Sequence, residues 1–215
     1  MDNIAVGIVT TKGREDVLSD TVIQLGNETE INIFCDLKRG MFLNHRASWN
    51  KLFEKSDIAL LLQDDVTASK NWYKTCQLFV EKFPQQQIFS FYSLFGKTQP
   101  KNLRGVYVLE NGLWEQAILI KRPLHELIKK IMTKKMIQRR RMPKNKRRDY
   151  HHDSVIKDIL NLLKIRQMKV FPPFFQHKDE TSTLGNNRTW QGRPRQSIFY
   201  LGDDTDSFEY FRQRL

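Results

Sequence analysis

The sequence predicts an α/β fold, a single domain in which a mixed central sheet is flanked by helices. Strand and helix signals alternate through the first half of the chain, three further short strand signals follow in the middle, and 215 residues suffice to bury one full core. No internal repeat is present, which argues against a solenoid.

The elements follow in order. Ile4 to Thr10 reads as a buried strand, Thr11-Lys12-Gly13-Arg14 as a turn, and Glu15 to Leu25 as a helix with Val17, Leu18, Val22 and Leu25 at helical spacing. Ile31 to Cys35 is a second strand. Phe42 to Lys55 places Leu43, Ala47, Asn50 and Phe53 three or four residues apart, so it should form an amphipathic helix leading into a third strand, Ile58 to Leu62. A helix over Trp72 to Phe83 stops before Pro84, and short strands are expected at Ile88 to Tyr92, Val106 to Leu109 and Ala117 to Ile120. Pro123 suits the first turn of a helix running through Met132, while Pro143 breaks the basic stretch beyond it. Asp153 to Leu163 is the last helix, with Ile156, Ile159, Leu160 and Leu163 on one face. Lys169 to Phe175 is strand-like and runs into Gln176-His177.

Charge is distributed unevenly. The net charge is +12, yet Lys129 to Arg148 holds eleven Lys or Arg and no acid, leaving about +1 for the rest. Such a run can be a solvated face. Its density of like charge also suits a polyanion, whose phosphates would release counterions on binding Arg139, Arg140, Arg141, Lys144, Lys146, Arg147 and Arg148. No stretch of about 18 apolar residues exists to span a bilayer, and the first residues lack a basic secretory region, so a cytoplasmic protein without stable membrane insertion is expected. Cys35 and Cys76 lie in apolar contexts and read as reduced core residues.

The most informative segment is Ala59-Leu60-Leu61-Leu62-Gln63-Asp64-Asp65-Val66, an apolar strand delivered into adjacent carboxylates. Two neighbouring carboxylates repel, and both stay ionised only when donors, water or a cation neutralise them. Mn2+ or Mg2+ suits that need, with the imidazole of His177 a fitting companion ligand for Mn2+. The plainer role for Asp64 and Asp65 is to end the strand in a turn, and for His177 to be a hydrogen-bonded structural residue. Thr10, Thr11 and Arg14 follow the first strand, where ligands of open α/β sheets bind. No Gly-rich phosphate loop is present, which argues against a kinase or dinucleotide enzyme.

Taken in order, the strand ending in Gln63-Asp64-Asp65, the Trp114-Glu115-Gln116-Ala117 segment, the helix opening at His152-Asp153-Ser154 and Gln176-His177 resemble the GT-A nucleotide-sugar glycosyltransferases. The resemblance covers residues 3–185 in pattern. It implies a Rossmann-like catalytic domain over 1–185, with a basic insertion at 129–148 and an Arg-rich tail at 186–215. Asp64-Asp65 looks like the family's metal motif. Asp65 and His177 would then hold the divalent cation, with Asp64 facing the sugar or ribose of a nucleotide sugar, a UDP-sugar foremost. Asp153 would be the general base of an inverting transfer, although an Asp there also serves as a helix N-cap. Trp114 and Glu115 would meet the acceptor, unless the Trp114 ring packs in the core.

The basic run beside the expected base points to a polyanionic acceptor. The leading expectation is transfer to a hydroxymethylated pyrimidine in DNA, similar to the enzymes bacteriophages use to protect their genomes, with the base flipped towards Trp114 and Asp153. A cell-envelope glycan or lipid acceptor keeps the fold and changes the partner. A metal-dependent nuclease is the alternative of a different class, weakened because no acidic-x-Lys pattern follows Asp64-Asp65, and a catalytically silent DNA-binding module is the remaining one.

Overall fold

A strand whose two faces are both covered needs apolar residues at every position, and β1 (Ile4–Thr11) and β3 (Ile58–Gln63) have them. Ile4, Val6 and Ile8 enter one core with Ile58, Leu60 and Leu62, while Ala5 and Val9 enter a second core with Ala59 and Leu61. A computed structural model of the protein describes residues 2–36, 41–92, 100, 102–110, 117–140, 152–178, 189–190, 193–194, 197 and 199–215; side chains at 41–42, 134–140, 152–154, 189–190 and 193–194 lie outside that description.

Seven strands form the central sheet in the order β2-β1-β3-β7-β5-β8-β6, adding β2 (Ile31–Asp36), β5 (Ile88–Ser90), β6 (Tyr107–Glu110), β7 (Ala117–Lys121) and β8 (Gln167–Val170). β7 runs antiparallel to β3 and β5, and β6 antiparallel to β8, whereas β1 pairs parallel with β2 and β3 and β5 with β8. The sheet is therefore mixed, as expected.

Helices cover both faces. α2 (Met41–Lys55), α4 (Arg122–Arg140) and α5 (His152–Leu162) bury Trp49, Leu52, Phe53, Leu124, Ile128, Ile156 and Ile159 on one side. α1 (Glu15–Leu25) and α3 (Trp72–Lys82) bury Leu25, Trp72, Cys76 and Phe79 on the other. Gly7 leaves room for the Phe34 ring of β2 and for Leu52 of α2, because a Cβ there would stand 2.6 Å from Phe34 Cε2 and 3.1 Å from Leu52 Cδ1.

Four features depart from the sequence expectation. The run from Lys169 to Phe175 is two strands rather than one, since the cis Phe171–Pro172 bond and Pro173 separate β8 from β9 (Phe175–His177). An unexpected β4 (Val66–Ala68) follows the carboxylates and pairs antiparallel with β9, setting Val66 opposite His177. α4 continues past Met132 to Arg140, as its Lys, Arg, Gln and Met residues favour helix and no breaker intervenes before Pro143. Cys35 is exposed on the edge strand β2 rather than buried, because among the described residues no further strand pairs outside β2; Cys76 is buried, and both are free thiols.

The end of the chain belongs to the core. β10 (Thr189–Trp190) and β11 (Arg193–Pro194) form a small ribbon, and α6 (Ser207–Arg212) lies against α3. Phe211 is fully buried, its ring 5.1 Å from Phe79 and 5.7 Å from Phe174. Asp206 caps α6 by accepting from Glu209 N, and Thr67 Oγ1 donates to Asp203 Oδ1 at 2.7 Å, tying β4 to the loop before α6. No described helix is long and apolar enough to cross a membrane.

Candidate active site

The carboxyl ends of β1 and β3 lie side by side, since Val9 pairs with Gln63, and this register brings Thr10 and Asp64 together. Thr10 Oγ1 donates to Asp64 Oδ2 at 2.6 Å. The turn after β1 carries Arg14 back over the same edge, where its Nε donates to Asp64 Oδ2 at 2.8 Å and its Nη2 to Asp65 Oδ2 at 3.1 Å. From the other direction, the β4–β9 pairing delivers His177, whose Nε2 stands 3.3 Å from Asp65 Oδ2. Two backbone contacts fix the turn: Thr21 Oγ1 donates to Asp64 O and Lys178 N to Asp65 O, each at 2.7 Å.

This cluster is almost closed to solvent, with Thr10 at 6%, Arg14 at 7%, Asp64 at 6%, Asp65 at 8% and His177 at 1% exposure. Burial pushes the Asp65 carboxyl up, but the hydrogen bond and charge of His177 and the charge of Arg14 outweigh it, holding the group below the usual aspartate value. Asp65 is thus an anion at neutral pH. One of its oxygens, Oδ1, is buried without a hydrogen-bond partner, and so is His177 Nδ1. Orphaned lone pairs of a buried carboxylate cost free energy and mark a place for a further donor or a cation.

The donor set fits a divalent ion. Two ligands about 2.1 Å from one hard cation at roughly right angles are about 3.0 Å apart, close to the separation of Asp65 Oδ2 and His177 Nε2. Among the described residues no group of three or more His, Cys, Asp or Glu side chains converges. Asp65 and His177 would therefore supply only part of the coordination, as is usual where substrate phosphates and water complete it. Asp64 is turned towards Thr10 and Arg14 instead.

Of the residues singled out in the sequence, Thr10, Arg14, Asp64, Asp65 and His177 meet at this one corner. Thr11 ends β1 next to it, with a buried hydroxyl that has no hydrogen-bond partner. Asp153 lies in the first turn of α5, which begins at His152, one residue before the expected start, so Asp153 is inside the helix rather than at its cap. Arg139 and Arg140 close α4. The side chains of these three, together with Trp114, Glu115, Arg141, Lys144, Lys146, Arg147 and Arg148, lie outside the described residues. Sequence reasoning missed Thr21 and Lys178. Thr21 had a signal, a hydroxyl within the apolar spacing of α1.

No family model and no curated protein matches the sequence. Among solved structures the chain is similar to A197 from STIV, at 14% identity and a TM-score of 0.49 over 82% of this chain and 84% of that one. It is also similar to a mutant of Drosophila β1,4-galactosyltransferase 7 in complex with manganese, UDP-Gal and xylobiose, at 10% identity and a TM-score of 0.49 over 99% and 81% of the two chains. A third is a glycosyltransferase involved in glycosylation of the major capsid of PBCV-1, at 16% identity and a TM-score of 0.40 over 78% and 82%. Likeness at this level assigns no reaction, and the chain's own residues carry the functional reading.

Proposed function

We propose that the protein is a GT-A-type glycosyltransferase that moves a sugar from a nucleoside-diphosphate donor, a UDP-sugar foremost, to a hydroxyl acceptor. The observation that carries this reading is the corner at the end of β3, where the ionised, half-satisfied Asp65 carboxylate faces His177 Nε2 at 3.3 Å. Asp65 and His177 would hold Mn2+ or Mg2+, which when bound offsets the negative charge that develops on a departing diphosphate. Thr10, Thr11 and Arg14 would orient the donor, and Asp64 would face its sugar or ribose. Asp153 would accept the proton of the acceptor hydroxyl as that oxygen bonds to the sugar's anomeric carbon and the bond to the diphosphate breaks, inverting the centre.

The acceptor we propose is a hydroxymethylated pyrimidine in DNA, with catalysis in residues 1–185, the basic segment 129–148 holding phosphates, Trp114 and Glu115 meeting the base, and the Arg-rich stretch 186–215 following the catalytic segment. What supports it is the concentration of eleven Lys or Arg in that segment. A cytoplasmic setting, in an infected host if the gene is a phage's, suits a DNA acceptor. Incubation with labelled UDP-sugars, Mn2+ and hydroxymethylated DNA should label the DNA. Labelling of a glycan or lipid with none on DNA removes the acceptor, and nicking of plasmid by Mn2+ without nucleotide sugar replaces the transferase with a nuclease.

A further inference from the structure

Arg14 is an unusual neighbour for a cation site. Its guanidinium is buried, and two of its nitrogens span both carboxylates of the pair, Nε on Asp64 and Nη2 on Asp65. The Asp65 oxygen it holds, Oδ2, is the one that also faces His177. A divalent cation bound by Asp65 and His177 would therefore compete with Arg14 Nη2 for one oxygen and meet a fixed positive charge where water cannot screen it. With the guanidinium in place, part of the negative charge that would attract the ion is already offset.

A diphosphate changes that balance. A guanidinium pairs with phosphate oxygens as readily as with carboxylates, in the same two-pronged geometry. We infer that Arg14 is a built-in counter-ion that excludes the metal from Asp65 until a nucleoside diphosphate draws its guanidinium away, so that metal and donor bind as a coupled pair. This rests on reading the corner as a cation site. It adds a consequence for the protein in the resting state: Arg14 holds the two adjacent carboxylates in place without metal, and free metal does not occupy the site ahead of the donor. Because binding free energies are reciprocal, whatever the donor gains from the metal the metal gains from the donor.

The test needs no sugar transfer. Mn2+ binding to the full chain is measured from the free-ion electron paramagnetic resonance signal, and UDP affinity by calorimetry in EDTA and in Mn2+, with GDP, CDP and ADP run alongside. Wild type, Arg14→Gln, Arg14→Lys and Asp65→Asn are compared. In wild type, Mn2+ should tighten nucleotide binding by about 5- to 150-fold while binding feebly alone. Arg14→Gln should take up Mn2+ alone at least about tenfold more tightly and lose most of the coupling. Arg14→Lys, which keeps the charge without the planar two-pronged fork, should fall between and guards against a variant that does not fold. Equal Mn2+ affinity in wild type and both Arg14 variants, with binding lost only in Asp65→Asn, overturns the counter-ion and leaves the cation site standing. No Mn2+ uptake by any chain, with or without nucleotide, overturns the site and the counter-ion together.

Discussion

Replacing Arg14 by Gln should destabilise the metal-free protein markedly. The substitution deletes two charge-assisted hydrogen bonds, at 2.8 and 3.1 Å, between groups with side-chain exposures of 8% for Arg14, 8% for Asp64 and 11% for Asp65. Each such bond is worth about 1.5–3 kcal/mol, and removing one partner of a buried ion pair costs about 3–5 kcal/mol. The lower end, about 3 kcal/mol, applies here because Thr10 still donates to Asp64 and His177 still faces Asp65. For a chain of this length that corresponds to a fall in Tm of roughly 6–12 °C, read by calorimetry in EDTA at neutral pH. Mn2+ should restore part of the loss. A shift under about 1 kcal/mol would refute the view that Arg14 neutralises the pair.

Other outcomes follow from the packing and the titrating groups. Gly7→Ala places a methyl 2.6 Å from the Phe34 ring and should cost about 1–3 kcal/mol in urea denaturation, since the Phe34 ring of β2 and the Leu52 side chain of α2 must both give way. Phe211→Ala empties an aromatic cluster and should cost about 3–5 kcal/mol, measurable in the same assay; near-neutral behaviour would mean that α6 is not part of the core. Burial pushes His125 down to about 4, so it is neutral when folded while the unfolded chain protonates near about 6.5. Its contribution is therefore complete above that higher value and is lost as pH falls from about 6.5 towards 4, a slope that His125→Phe should flatten in denaturation curves taken across that range. Asp65 acts lower: its depressed value means that its stabilisation is lost only below about 3.9, and Asp65→Asn should remove that part of the acid limb.

Local pattern carried the strands β1 and β3, the helices α1 to α3 and the acidic end of β3, because each is a continuous apolar run or a 3.6-residue period bounded by a turn or proline. It also named five of the residues that meet at the corner. What it could not carry was contact between distant segments. β4 is three residues long and exists because it pairs with β9, more than a hundred positions away, and that pairing is what brings His177 to Asp65. The bridging of both carboxylates by Arg14 likewise depends on the path of the turn after β1, not on any spacing between residues 14, 64 and 65. α6 escaped notice because it is only six residues long and follows a stretch rich in Gly, Asn and Arg, yet its Phe211 packs with rings from α3 and from the segment before β9. Cys35 shows the converse error: an apolar neighbourhood in sequence, on a strand that proves to be the sheet's edge.

Anomalous diffraction from crystals soaked with Mn2+ and UDP bears most directly on the β3 corner as a metal and diphosphate site. A peak about 2.1–2.3 Å from an Asp65 carboxylate oxygen and from His177 Nε2, with Arg14 shifted onto phosphate, is the predicted result. Nucleotide bound with no peak at that position, and Arg14 still spanning Asp64 and Asp65, would contradict it.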